Sequence, residues 1–173
     1  ILLQQTQMGT GIKYYKKFIK KFPKIEKLAK AKEETIYSIW KGLGYYNRAK
    51  NLHKTAQEIV NNYQGVFPND YNDLLSLPGI GKYTASAISS ICFNSKRYVI
   101  DANVYRVLSR YLGINKKINQ SKSYKYFENL SKELAKGIKN TGAYNEAIMD
   151  FGSMICKPKN PKCDICIIRK TCF

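Results

Sequence analysis

The sequence predicts an all-α protein, and three observations carry that prediction. Apolar residues recur at spacings of three and four along most of the chain, strand signals are confined to one short run, and Pro and Gly punctuate the periodic stretches. The first helix is expected over Ile12, Tyr15, Phe18, Ile19 and Phe22, which share a face before Pro23 stops the run. Ile1-Leu2-Leu3 reads as a helix already under way, so residues are expected before Ile1. A second apolar set, Ala49, Leu52, Ala56, Ile59 and Val60, follows the loop Gly42-Leu43-Gly44-Tyr45-Tyr46. Pro68-Asn69-Asp70 offers a helix start ahead of Leu74 and Leu75, and Leu77-Pro78-Gly79-Ile80-Gly81 then breaks the helix for a tight turn. The next helix begins at about Lys82 and carries Ala85, Ile88 and Ile91. The run Tyr98-Val99-Ile100 joins it to another with Val104, Val107, Leu108 and Tyr111, and segments at about 122–137 and 142–155 complete the set. The cysteine loop that follows has too little apolar content to fold unaided, so a metal is expected to staple it.

A chain of 173 residues can bury a substantial core, as one unit or as two small lobes. Thirty Lys and Arg against 12 Asp and Glu give a net charge of +18, which favours an anionic partner such as nucleic acid or a membrane surface. Lysines such as Lys16, Lys17, Lys20 and Lys21 also fit a plain solvated helix face. No stretch approaches the roughly 20 apolar residues of a membrane helix, and no charged-then-apolar leader stands at the start; a soluble, intracellular protein is expected. Four of the five cysteines crowd into the tail, a pattern that suits metal ligation in a reducing compartment better than a disulfide framework. Cys92, on an apolar stretch, is expected in the core. Trp40 and His53 are read as structural.

Two motifs carry chemistry on their own. Leu77-Pro78-Gly79-Ile80-Gly81-Lys82-Tyr83-Thr84 sets two glycines between two helices, where bare backbone can approach a ligand. Outward N–H groups and the N-terminus of the next helix suit a DNA phosphate, and Lys82 adds a positive charge. An isolated Gly-x-Gly is more often an ordinary turn, but the flanking helices and the basic balance reverse those odds. Cys156, Cys163, Cys166 and Cys172 are spaced C-x6-C-x2-C-x5-C, unlike the paired C-x2-C of many zinc sites. Residue type alone leaves a four-cysteine zinc site and a four-cysteine iron–sulfur cluster equally open. Asp101 fits the start of the helix that follows it, a common place for a capping Asp.

The hairpin, the segment Val99-Ile100-Asp101-Ala102-Asn103-Val104-Tyr105-Arg106-Val107 beyond it and the cysteine spacing together resemble the helix-hairpin-helix DNA glycosylases, over nearly the whole chain. The resemblance implies a helical barrel lobe at 1–96, with the helix-hairpin-helix at about 70–93, and an iron–sulfur lobe at 97–173 whose cluster loop is 156–172, with a pocket between the lobes. It implies a [4Fe–4S] cluster on the four cysteines, holding the basic loop of Lys157, Lys159, Lys162, Arg169 and Lys170 against the DNA backbone. It also implies that Asp101 is the catalytic carboxylate, which stabilises positive charge on the sugar as the N-glycosidic bond breaks.

Three matches point to the adenine-removing, MutY-type branch. Bifunctional relatives place a Lys two positions after the second hairpin Gly, where its amine attacks the sugar; this sequence has Tyr83, and Lys82 is rotated about 100° away on a helix. Asp101-Ala102-Asn103 is similar to the Asp-Gly-Asn of that branch rather than to Asp-Thr-His, with Ala102 departing from the usual Gly. Leu3-Gln4-Gln5-Thr6-Gln7 and Gly42-Leu43-Gly44-Tyr45-Tyr46-Asn47-Arg48-Ala49 resemble the segments that fill the gap beside the mispaired base, with Gln5 and Tyr45 as wedges. The expected catalytic set is Asp101, Tyr83 and Asn103. The expected DNA and substrate contacts are Gln4, Gln5, Thr6, Tyr45, Arg48, Gly79, Gly81, Lys82 and Glu146, the last at the family position that reads adenine's edge. The family's general-acid Glu would precede Ile1.

The function so implied is base excision: hydrolysis of the bond to adenine mispaired with 8-oxoguanine or guanine in double-stranded DNA. The enzyme is expected to be a monofunctional monomer, away from membranes, in a bacterial cytoplasm, or in a nucleus or mitochondrion if eukaryotic. Two alternatives stand beside it, an endonuclease III-like glycosylase and lyase on oxidised pyrimidines, which Tyr83 disfavours, and a non-catalytic DNA-binding module.

Overall fold

The computed structural model describes residues 1–6, 8–115 and 121–173; Gln7, expected in the DNA-facing segment, lies outside them. Every regular element among the described residues is helical. In chain order these are α1 (Met8–Lys21), α2 (Ile25–Ala29), α3 (Glu33–Trp40), α4 (Asn47–Tyr63), α5 (Tyr71–Ser76), α6 (Lys82–Phe93), α7 (Ala102–Tyr111), α8 (Ser121–Leu134) and α9 (Thr141–Met154), followed by short 3-10 turns at Cys163–Ile165 and Arg169–Thr171. None of these helices is long and apolar enough to cross a membrane. The chain forms two compact units, Ile1–Thr84 and Ala85–Phe173, so the division falls inside α6 rather than after it at 96.

In the first unit, α1 buries Phe18 against Trp40 of α3, edge to face at 5.8 Å, in a core with Leu2, Ile36 and Ala49. The Trp40 indole N–H donates to the Gly44 carbonyl at 2.9 Å, so the core tryptophan also pins the loop before α4. His53 is buried, with Nε2 3.1 Å from the Ala29 carbonyl, and ties α4 to α2. Both side chains are structural, as expected. Ile1–Leu3 is not helical: the Gln4 N–H reaches the Ile1 carbonyl at 3.1 Å and the Thr6 N–H the Leu3 carbonyl at 3.2 Å, and a positive φ of 52° at Gln5 ends any helix there.

In the second unit, α6 turns inward Ala85, Ser86, Ser89 and Ser90 rather than its large apolar residues. Small side chains let another backbone approach, since a Cβ on Gly142 at the start of α9 would stand 2.6 Å from the Ser90 carbonyl oxygen. Cys92, Ile91 and Phe93 therefore face outward, and Cys92 is exposed rather than in the core. Asn145 of α9 is fully buried and organises the run before α7. Its amide nitrogen donates to Ser90 Oγ at 2.9 Å and to the Arg97 carbonyl at 2.8 Å, and its oxygen accepts from the Val99 N–H at 3.1 Å. Residues 98–100 are thus buried without forming a strand. Ile100 joins Val104, Tyr105, Leu108 and Phe127 in a core, with the Tyr105 and Phe127 rings 4.7 Å apart.

Candidate nucleic-acid interface and catalytic carboxylate

The hairpin is shaped from its first residue. Asp70 caps α5, its carboxylate accepting from the N–H groups of Asn72 at 2.7 Å and Asp73 at 3.2 Å. After Ser76 the Ile80 N–H closes the turn onto the Leu77 carbonyl at 3.1 Å, and Ile80 itself is buried. Gly79 has φ +75°, and a Cβ there would stand 2.7 Å from the Cβ of Asn51, so glycine is required twice over. The turn's inward carbonyls are occupied: Pro78 O accepts from Thr55 Oγ1 at 2.7 Å, and Gly79 O from Gln4 Nε2 at 3.0 Å. Gly79, Gly81, Lys82 and Tyr83 are left exposed at the start of α6, with open space around Gly81. That combination of bare backbone, helix N-terminus and one ammonium suits a phosphate.

Gln4 Nε2 and both terminal nitrogens of Arg48, expected at the DNA, donate inside the protein. Gln4 also donates to Thr84 Oγ1 at 2.9 Å, which ties residues 2–6 to the hairpin. Arg48, on the first turn of α4, is only 8% exposed. Its Nη1 donates to the carbonyls of Leu2, at 3.2 Å, and Gln4, and to Thr6 Oγ1 at 2.8 Å. Its Nη2 donates to the carbonyls of Leu43 at 3.3 Å and Gly44 at 3.4 Å. The guanidinium carbon lies 5.4 Å from the ring centroids of both Trp40 and Tyr45. Burial pulls the Arg48 pKa below its ordinary value, but a guanidinium stays charged at any physiological pH. The two expected wedges remain outside: Gln5 is exposed, and Tyr45 is 68% exposed with φ +49°.

In the second unit, Asp101 is both the cap of α7 and a doubly held carboxylate. Oδ1 accepts from the Val104 N–H at 2.8 Å, and Oδ2 accepts from Asn103 Nδ2 at 2.9 Å. Arg106 continues the chain, with Nη2 donating to Asn103 Oδ1 at 2.7 Å and to the Gly152 carbonyl at 2.6 Å, while Nε donates to the Cys156 carbonyl at 2.7 Å. One turn further along α7, Arg110 donates to the Lys157 carbonyl at 2.7 Å, the Pro158 carbonyl at 3.0 Å and, weakly, Cys156 Sγ at 3.5 Å. Sequence reasoning missed both arginines. Their i, i+4 spacing on one face of α7, just after Asp101, was the available signal.

Cys156, Cys163, Cys166 and Cys172 line one small cavity of about 60 Å³ with Val107, Tyr111, Phe151 and Ile155. The Cys172 thiol is pushed up in pKa, first by burial and then by the charge of the other three cysteines, with Arg110 opposing. Among the described residues no three His, Cys, Asp or Glu side chains converge closely enough for one metal ion. The four cysteines thus share one cavity whose other lining residues are mostly apolar. Glu146 is exposed on α9 and makes no hydrogen bond with any other expected site residue among those described; its neighbour Asn145 has the buried, structural part.

The HhH-GPD family model, described as an HhH-GPD superfamily base excision DNA repair protein, matches residues 1–137. The chain is 46% identical over 175 residues to an adenine DNA glycosylase of Buchnera aphidicola subsp. Baizongia pistaciae, a match covering 99% of this chain and 48% of that protein. It is 37% identical over 173 residues to the adenine DNA glycosylase of Mus musculus, covering 99% and 33%. The chain thus spans about half the length, or less, of these curated relatives. Among solved structures it resembles a thermostable thymine-DNA glycosylase, with a TM-score of 0.87 at 35% identity, covering 99% of this chain and 78% of that one. A non-covalent endonuclease III–DNA complex shares the fold at a TM-score of 0.80 and 24% identity, covering 99% and 78%. The chain belongs to the HhH-GPD superfamily of base excision DNA repair proteins.

Proposed function

We propose that this chain is the catalytic core of a monofunctional adenine DNA glycosylase that acts as a monomer on duplex DNA carrying adenine opposite 8-oxoguanine or guanine. The observation that carries the reading is 46% identity to an adenine DNA glycosylase over 99% of the chain. The exposed hairpin Gly79–Lys82 takes a phosphate, and the net charge of +18 draws the duplex in. Gln5 and Tyr45 fill the space that the target base leaves in the stack. Asp101, fixed on both carboxylate oxygens, stabilises the positive charge that builds on the sugar as adenine departs, and water completes the hydrolysis. With Tyr83 at the position where bifunctional relatives carry a Lys, the chain supplies no amine there to form a Schiff base.

Cys156, Cys163, Cys166 and Cys172 would hold a [4Fe–4S] cluster, which when bound fixes the geometry of the loop 156–172. Likeness to the Buchnera aphidicola protein supports a bacterial cytoplasm as its setting.

A second reading, removal of thymine, is favoured by the 35% identity and TM-score of 0.87 to a thymine-DNA glycosylase. Single-turnover release from duplexes with adenine opposite 8-oxoguanine, thymine opposite guanine, or an oxidised pyrimidine separates the readings, using the full-length protein. Adenine release without borohydride-trapped adduct is expected. Preferential thymine release selects the second reading, and an efficient trapped adduct overturns both in favour of a lyase.

A further inference from the structure

Arg48 stands where helix electrostatics do not favour it. A cation on the first turn of a helix faces the positive end of the macrodipole, and a buried one loses its hydration as well. It is retained there with five acceptors, four of them backbone carbonyls and one the Thr6 hydroxyl. The acceptors come from two segments far apart in sequence, residues 2–6 and 43–44. Each segment carries or adjoins one exposed side chain on a left-handed, non-glycine backbone: Gln5 at φ 52° and Tyr45 at φ 49°. Such backbone is held only where its surroundings over-determine it, and Arg48 supplies that determination for both. Its planar fork meets several carbonyls in fixed directions, while the Tyr45 ring lies against the guanidinium itself.

We propose that Arg48 is a positioning residue that locks the Gln5 and Tyr45 segments in register, so that mismatch recognition, rather than phosphate binding, depends on it. The proposal rests on the reading of Gln5 and Tyr45 as wedges given above. The same amide of Gln4 that brackets the hairpin extends the lock to the phosphate-binding turn, so the three DNA-facing elements of the first unit share one frame.

The test uses the full-length protein and two duplexes of equal length. One holds an uncleavable 2′-fluoro adenosine opposite 8-oxoguanine and the other is fully matched; a third, with 2-aminopurine as the target, reports unstacking by fluorescence. Arg48→Met is expected to keep matched-duplex affinity and its salt dependence within about twofold while losing about tenfold or more of the mismatch preference, together with the unstacking signal. Arg48→Lys, keeping the charge but not the fork, should recover only part of both. Thr6→Val removes one acceptor and should move the same two readouts by a few-fold, which decides the matter if Arg48→Met does not fold.

Equal weakening on both duplexes, with the salt slope reduced by about 1, would make Arg48 a phosphate contact and overturn the proposal. Unchanged preference and unstacking in Arg48→Met, or in Thr6→Val if only that variant folds, would overturn it as well. A wild-type protein with no mismatch preference would instead sink the adenine reading, and the proposal with it.

Discussion

Arg48 in the first unit and Arg106 with Arg110 in the second perform the same kind of work on different material. Each collects backbone carbonyls from irregular chain or from the last turn of a helix, where no intrahelical partner remains. Around Arg48 the frame is built from protein groups: two backbone segments and the rings of Trp40 and Tyr45 surround the guanidinium, while Gln5 and the outer face of Tyr45 stay exposed. Around Arg106 and Arg110 the carbonyls of Gly152 at the end of α9 and of Cys156, Lys157 and Pro158 beyond it are equally well held, but the loop that follows carries the cysteines that line the cavity. Beyond the cavity the loop buries almost nothing, with Ile165 64%, Ile167 90% and Phe173 95% exposed. An arginine can order backbone whose other contacts exist. Where the other contacts are missing, the [4Fe–4S] cluster proposed for the four cysteines would supply them.

Asp101→Asn keeps a capping oxygen for Val104 but removes the charge, and should lower single-turnover excision by about 10³-fold with little change in folding. Chelation of the metal under reducing conditions, or Cys163→Ala, should lower the thermal midpoint by about 10 °C or more. Arg48 and its neighbours should stay protected in hydrogen exchange, because their closure does not depend on metal. Asn145→Ala removes three buried hydrogen bonds from the frame before Asp101 and should cost about 3 kcal/mol, read as a lower urea midpoint at unchanged slope. If it costs nothing, the second unit owes its order to the metal and not to its polar frame. Smallest is Lys82→Gln, which should reduce the salt slope of duplex binding by about 1 while leaving stability within about 0.5 kcal/mol.

What was legible in the sequence followed from local rules. The spans of α1, α4, α5, α6, α7 and α9 were readable from apolar spacing, Pro23, the Asp70 and Asp101 caps and the paired hairpin glycines, because those signals act within a few residues. Helices α2 and α3 were passed over because α2, only five residues long, has a single buried residue, Ala29, and α3 has no capping side chain. The inward face of α6 was misread because its buried serines satisfy their hydroxyls on the preceding turn, as Ser90 does on the Ser86 carbonyl at 2.7 Å, and so look polar while behaving as small core residues. Of the candidate site, residue identities were legible and their division of labour was not. Nothing near Arg48 or Gln4 in sequence says that Arg48 Nη1 and the Gln4 amide will donate to acceptors more than 40 residues away. The same holds for Arg106, whose value lies in joining Asn103 to a carbonyl 50 residues on.

That last connection, from the cysteine loop through Arg106 and Asn103 to Asp101, is the most direct place to test how the frame serves the chemistry. Arg106→Gln in the full-length, cluster-loaded protein should lower single-turnover adenine excision by about tenfold or more, while affinity for an uncleavable mismatch duplex stays within about threefold and the visible absorption of the cluster is retained. Excision at the wild-type rate, with the cluster intact, would contradict it: the carboxylate would then be held by Val104 and Asn103 alone, and the cysteine loop would have no hand in placing it.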